Sequence, residues 1–273
     1  MFIETPVEIY KIGDIDVLVK REDMAIKYPA PPFSKVRGLI SNLNKLKIKG
    51  FKIIGYTETS VSMAGWGVAW ACKELGLKAI IFDPQYKKTP SLLKYHRKQW
   101  KKFDAELIPI KAGRAKVNWY ISKKILQKYL DSILLPLGLP FEETVLETKI
   151  QAEKCLDKYK PKSIVVNVGS GTICSGIIQA ANYAKVYGIM GRTGDIIKKK
   201  KFIQQKSGFI LNGLLKNREL ILEDPGWKYA ERSIIKCPFS CHPYYDLKAW
   251  EWLIKNIKKL ERPILFWNIG KIK

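Results

Sequence analysis

Short apolar runs and longer amphipathic stretches take turns along almost the whole chain, and no other feature limits its fold so strongly. "KIIGYT" (52–57), "KAIIFD" (78–83), "AELIPI" (105–110), "SIVVNVGS" (163–170), "VYGIM" (186–190) and "PILFWNIG" (263–270) have the length and composition of strands. Between them, "MAGWGVAWACKELG" (63–76), "SLLKYHRKQWKKF" (91–103), "FEETVLETKIQAEKCLDKY" (141–159), "TICSGIIQAANYAK" (172–185) and "YYDLKAWEWLIKNIKKL" (244–260) have the length of helices. In the second of these Leu92, Leu93, His96, Trp100 and Phe103 share a face, with lysines opposite. Strands alternating with helices predict an α/β fold with mainly parallel sheets. In open sheets of this kind ligands bind beyond the carboxyl ends of the strands. The strand-to-helix turns are therefore where chemistry is sought.

The bulk properties narrow the class. At 273 residues, 47% of them apolar and eight of them Trp, the chain is long enough and apolar enough to bury a substantial core. No apolar run reaches bilayer-spanning length or resembles a signal peptide, and the five Cys are irregularly spaced. The expectation is a cytoplasmic protein without membrane association. Its charge is unusual: 49 Lys and Arg against 25 Asp and Glu give +24. Between Tyr86 and Lys128 thirteen basic residues face only Asp104 and Glu106. Such a field attracts polyanions, DNA or RNA included, although a lysine-rich composition spread over solvated faces gives the same number.

Three turns carry unusual residues. In "NVGSGTICSG" (167–176) Gly169, Ser170 and Gly171 end a strand and Thr172 opens a helix. Glycines allow close approach of an anion, and a helix start supplies free N–H groups, so this is a phosphate cradle in physical terms or else a tightly packed turn. In "TETSVSMAGWG" (57–67) Thr59, Ser60 and Ser62 precede a helix. They suit either a carboxylate ligand or ordinary N-capping. "SCHPYYDLKAW" (240–250) places Tyr244, Tyr245 and Asp246 at a helix head. Its Cys237, Cys241 and His242 lack a second cluster, so no metal site is assigned.

Taken in order, these stretches resemble the pyridoxal-phosphate enzymes of fold type II, the tryptophan-synthase-β class. The resemblance is to the aminocyclopropane-carboxylate deaminase and D-cysteine desulfhydrase branch. "ETPVEIYKIGDIDVLVKREDM" (4–24) followed by "FSKVRGL" (33–39) is similar to the opening of that branch. The resemblance implies that Lys35 forms the Schiff base with pyridoxal 5'-phosphate and then serves as the base for the α-proton. It places Gly169, Ser170, Gly171, Thr172 and Gly176 on the phosphate loop, and Ser62, with Thr59 and Ser60, on the substrate-carboxylate loop. Tyr245 takes the active-site tyrosine position beside Tyr244, Asp246 faces the pyridine nitrogen, and Asn268 lies on the closing cofactor strand. The implied architecture is two three-layer α/β/α domains with the cofactor cleft between them. Residues 1–39 plus 131–273 form the larger, cofactor-binding domain, and 40–130 form a smaller inserted one. Relatives of this class are commonly dimers, which implies a homodimer.

The chain also departs from the pattern. The Gly-Asn before the lysine is Phe33-Ser34, and the Asn beside the loop serine is Met63. The last Gly-Thr of the phosphate loop is Thr172-Ile173, a second lysine is Gly38, and the His-Thr-Gly-Gly end is reduced to Asn268-Ile269-Gly270. Two readings follow. In the first, the protein is a lyase- or deaminase-like enzyme that performs elimination, deamination or replacement at Cα or Cβ of an amino acid. Its net charge then suggests an anionic substrate, such as an amino acid carried on a nucleotide or a nucleic acid. In the second, it is an inactive scaffold that binds nucleic acid or protein.

Overall fold

A computed structural model describes residues 2–208 and 219–272. The chain forms two compact units. The larger comprises Met1–Lys27, Pro32–Arg37 and Glu142–Lys273, and the smaller Tyr28–Pro31 and Gly38–Phe141.

The larger unit is built on a six-stranded sheet. Its strands are β1 (Val7–Ile12), β2 (Ile15–Arg21), β7 (Ser163–Val168), β8 (Lys185–Met190), β9 (Leu220–Glu223) and β10 (Ile264–Asn268). Their order is β1-β2-β10-β7-β8-β9, antiparallel only at the β1–β2 hairpin. Side-chain alternation shows why both faces are covered. Ile164, Val166, Leu265 and Trp267 point into one core with Ala152, Leu156, Ile173, Ile177 and Ile203. These come from α5 (Glu142–Tyr159), α6 (Thr172–Ala180) and α7 (Ile196–Ser207). Val165, Ile264 and Phe266 point the other way, toward Trp250, Leu253 and Ile257 at α8 (Asp246–Asn256). The result is the expected three layers.

The smaller unit has four parallel strands in the order β5-β4-β3-β6: β3 (Ile53–Thr57), β4 (Lys78–Gln85), β5 (Glu106–Lys111) and β6 (Ser132–Leu134). Ile80 and Phe82 pack on Leu126 of α4 (Ala115–Leu126), while α2 (Ala64–Leu75) lies on β3 and β4 with α3 (Ser91–Lys102) beside it. α1 (Val36–Ile48) opens directly after Lys35, as the sequence suggests.

Several expectations shift. Residues 131–141, assigned above to the larger domain, lie in the smaller unit because β6 pairs with β3, Ile53 against Ser132. The helix expected over 172–185 ends at Ala180: Ala181 leaves helical geometry at φ −79°, ψ 78°, and β8 starts at Lys185. The helix expected over 244–260 is α-helical only over Asp246–Asn256 and finishes as a 3-10 turn. Gly176 lies inside α6, where it packs closely against α5. A Cβ there would come within 2.6 Å of both Thr148 Cβ and Val145 O on α5.

Candidate active site

At the carboxyl end of β7 the chain turns through Gly169, Ser170 and Gly171 into α6. Gly171 has φ +96°, which only glycine adopts without strain. A Cβ on Gly169 would meet nothing within 4 Å, so space lies open over that peptide. Ser170 Oγ and Thr172 Oγ1 are 2.9 Å apart, and the N–H of Thr172 approaches Ser170 Oγ at 3.4 Å.

Lys35 reaches this turn from 135 residues away, donating from Nζ to Ser170 Oγ at 3.0 Å. Burial first, and then the Lys199 ammonium, lower its pKa to about 8. Lys199, on α7, donates to the carbonyl of Gly169 at 2.7 Å. This concentration of cations around an open glycine turn at a helix start fits the phosphate ester of pyridoxal phosphate.

The lysine is held from behind. Ser34 N–H donates to Ile269 O at 3.0 Å, and Phe33 bridges Gly270. The next peptide groups donate to Asp246: Ile269 N–H to Oδ1 and Gly270 N–H to Oδ2, each at 3.2 Å. The turn before Lys35, the exit of β10 and the head of α8 are thus one hydrogen-bonded assembly. Beneath it, Asp23 accepts from Arg21 Nε and Nη2 at 2.9 Å and from Asn268 Nδ2 at 2.9 Å, with Lys271 Nζ at 3.1 Å. Asn268 Nδ2 also donates to Ser240 O at 3.0 Å. Its amide N–H groups therefore serve the scaffold. Arg37, two residues after Lys35, lies 3.6 Å from Glu22 and donates to Ile3 O. "KRED" is the buried ionic base that fixes the start of α1.

Tyr245 and Tyr244 sit at the head of α8. The Tyr245 hydroxyl is 2.9 Å from that of Tyr229, and its ring lies 4.6 Å from the His242 imidazole. Tyr244 N–H approaches His242 Nδ1 at 3.3 Å. The buried Lys248 donates to Gly191 O at 2.7 Å and Lys228 O at 2.9 Å, tying the segments after β8 and β9 to α8.

Thr59, Ser60 and Ser62 belong to the smaller unit, where the loop is organised around a residue that sequence reasoning passed over. Glu58 accepts the N–H of Thr59 at 2.7 Å and of Gly65 at 2.6 Å, while Ser62 Oγ accepts that of Ala64 at 3.0 Å. The chain's own carboxyl thus takes part of the helix start; Met63 stands at the N-cap of α2 without a side-chain cap bond, and Ser62, one residue earlier, accepts only the first helical N–H. Lys199 and Tyr229 were likewise missed. A run of four lysines does not say which one turns inward, and no motif marks Tyr229.

Burial pushes Glu58 and Asp246 up to about 8 each, despite their N–H donors. Such a carboxyl is neutral in the fold and ionises on unfolding. Its stabilisation is complete below the unfolded pKa of roughly 4 and is lost as pH rises through about 8. His96, lowered to about 4 by burial, acts oppositely, but only below its unfolded value near 6.5. Without cofactor, the thermal midpoint is therefore expected to fall from about pH 6.5 to 8. Asp246→Asn should make that slope shallower, and an unchanged slope in differential scanning fluorimetry would show that Asp246 does not titrate there.

No protein-family model matches the chain. It is 33% identical, over 98% of its own length and 98% of the relative's, to the "Glycyl-dTMP PLP-dependent decarboxylase" of Pseudomonas phage M6. Its fold is similar to that of a crystallised ACC deaminase homologue, with TM-score 0.77 at 20% identity over 98% of this chain and 89% of that one. It is also similar to the processed form of threonine deaminase isoform 2 from Solanum lycopersicum, with TM-score 0.68 at 13% identity over 100% and 85%. The scaffold is that of fold type II, and by its end-to-end kinship with the phage decarboxylase the chain belongs to the pyridoxal-phosphate-dependent enzymes.

Proposed function

We propose that the protein uses pyridoxal phosphate to act at the Cα of an amino acid carried on a nucleotide, and that it removes the carboxylate as CO2. The observation that carries this reading is the Lys35 amine, depressed to about 8 and set on Ser170 at the glycine turn, in a chain related throughout to a glycyl-dTMP decarboxylase. The net charge of +24 suits a nucleotide substrate better than a free amino acid.

Bound pyridoxal phosphate supplies an aldehyde for amine capture and a ring that accepts the electron pair left at Cα. The turn of Gly169, Ser170, Gly171 and Thr172 would hold the phosphate. Lys35 is deprotonated enough near pH 8 to act as a nucleophile toward that aldehyde, and as a free amine it would take up on Nζ the proton that the substrate ammonium gives up. Lys35 would deliver that proton to Cα in place of the carboxylate lost as CO2. Asp246 would serve as the partner of the pyridine nitrogen; a cation brought there would favour its ionised form and draw its pKa down. Tyr245, paired with Tyr229, orients the substrate with Tyr244, while Thr59, Ser60 and Ser62 hold the substrate's polar groups and Asn268 fixes the strand exit beside the cofactor.

Among the described residues no helix is long and apolar enough to cross a membrane. A cytoplasmic homodimer whose surface attracts DNA or RNA belongs to the same reading; sedimentation and a salt titration with oligonucleotides test those parts. The decisive experiment is incubation of the holoenzyme with glycyl-dTMP, followed by mass spectrometry. Loss of CO2 with retention of the amine is expected. Release of ammonia, or of the nucleotide as a leaving group, would overturn decarboxylation in favour of deamination or elimination.

A further inference from the structure

Of the four lysines at 198–201, three are exposed and Lys199 is half-buried. Helix geometry explains the difference. Residues four apart share a face, and the face that packs Ile203 into the core, where a Cβ on Gly171 would come 2.8 Å from Ile203 Cγ1, also carries Lys199. Asp195 caps the start of α7, accepting Lys198 N–H at 2.9 Å, which fixes the rotation of that face. The stem of Lys199 runs toward Phe202, with Nζ 5.9 Å from the ring centroid, and Nζ ends 2.7 Å from Gly169 O.

Its surroundings are cationic. Lys199 is close enough to Lys35 to lower that group's pKa, and is itself lowered by burial and by Arg192. Neither Lys199 nor Arg192 forms an ion pair with a carboxylate among the described residues. A half-buried ammonium without a counter-ion, set against a glycine turn with open space above Gly169, is held at a cost that an anion would offset.

We propose that Lys199 is a cofactor-binding residue that contacts the phosphate of pyridoxal phosphate and supplies the positive charge that the turn of residues 169–172 lacks. This rests on the reading of that turn as the phosphate site. Two of the three Lys199 ammonium donors remain after the bond to Gly169 O, enough for a charge-assisted contact to phosphate oxygen. Its charge also favours the deprotonated Lys35 amine, so a single residue would couple cofactor capture to nucleophile activation.

The test compares pyridoxal phosphate with phosphate-free pyridoxal, each titrated into apoprotein at fixed pH and followed by the visible band. The ratio of the two affinities cancels any change in Lys35 basicity and isolates the phosphate contact. Lys199→Gln can still donate to Gly169 O, and should lower that ratio roughly 10- to 100-fold. Lys199→Arg should restore most of it, and Lys200→Gln, exposed on the same helix, should leave it unchanged. The wild-type ratio should fall with added salt, and that of Lys199→Gln should respond less. An unchanged ratio in Lys199→Gln with normal wild-type binding overturns the role of Lys199 alone. Failure of the wild-type protein to bind pyridoxal phosphate, or to prefer it over pyridoxal, overturns the phosphate-site reading and the inference with it.

Discussion

Lys35→Ala is expected to abolish the visible band formed with pyridoxal phosphate and to lower turnover by about a thousandfold or more, because one amine serves as both nucleophile and proton carrier. Lys35 makes its 3.0 Å contact with Ser170 across a site that also holds the Lys199 charge. Removing the Lys35 ammonium relieves a desolvated charge beside Lys199 but gives up the bond to Ser170, so the folded fraction of Lys35→Ala is checked by urea denaturation alongside the activity. Lys35→Arg keeps a positive charge but no usable nucleophile, since a guanidinium does not deprotonate in this range. It should be as inactive as alanine. Borohydride reduction of the wild-type holoprotein and peptide mapping should place the adduct on Lys35. An adduct on another lysine, or a band that survives in Lys35→Ala, would displace this residue from the centre of the reaction.

The legible parts of the fold are those where local pattern and tertiary environment agree. "SLLKYHRKQWKKF" reads as a helix over 91–103 and is one over Ser91–Lys102, because Leu93, His96 and Trp100 are buried along one face, with Gln99 beside them. "SIVVNVGS" reads as a strand because both faces of β7 are covered, which makes the run apolar throughout. Only the family resemblance of the opening residues points to the hairpin of β1 and β2. It is an edge, and its half-exposed alternation in "VEIYKI" carries little periodic signal. β6 is three residues long, and only its pairing with β3 defines it. The site divides in the same way. Lys35, Ser170 and Asp246 sit at element starts, where backbone rules and motif order locate them. Glu58, Lys199 and Tyr229 act through contacts across 7, 30 and 16 residues, and nothing in local sequence records those pairings.

The two glycines of the turn after β7 should respond oppositely to a side chain, and the contrast separates folding from binding. Gly171→Val places a β-branched residue at φ +96°, where strain costs about 1–3 kcal/mol. Its Cβ would also lie 2.8 Å from Ile203 Cγ1, in a core where overpacking costs about 1–3 kcal/mol more. The expected loss of apoprotein stability is therefore roughly 2–6 kcal/mol, read from urea denaturation. At Gly169 the backbone is not left-handed and a Cβ meets no atom within 4 Å. Gly169→Ala should leave apoprotein stability within about 0.5 kcal/mol of wild type. Its methyl group instead enters the space over the turn that an anion would occupy, so pyridoxal phosphate affinity should fall while pyridoxal affinity is retained. If Gly169→Ala binds pyridoxal phosphate as tightly as wild type, the space above Gly169 is not where the phosphate lies. A stable Gly171→Val would mean that α7 yields at Ile203, and Lys199, carried on the same face one turn earlier, would then have no fixed place at the turn.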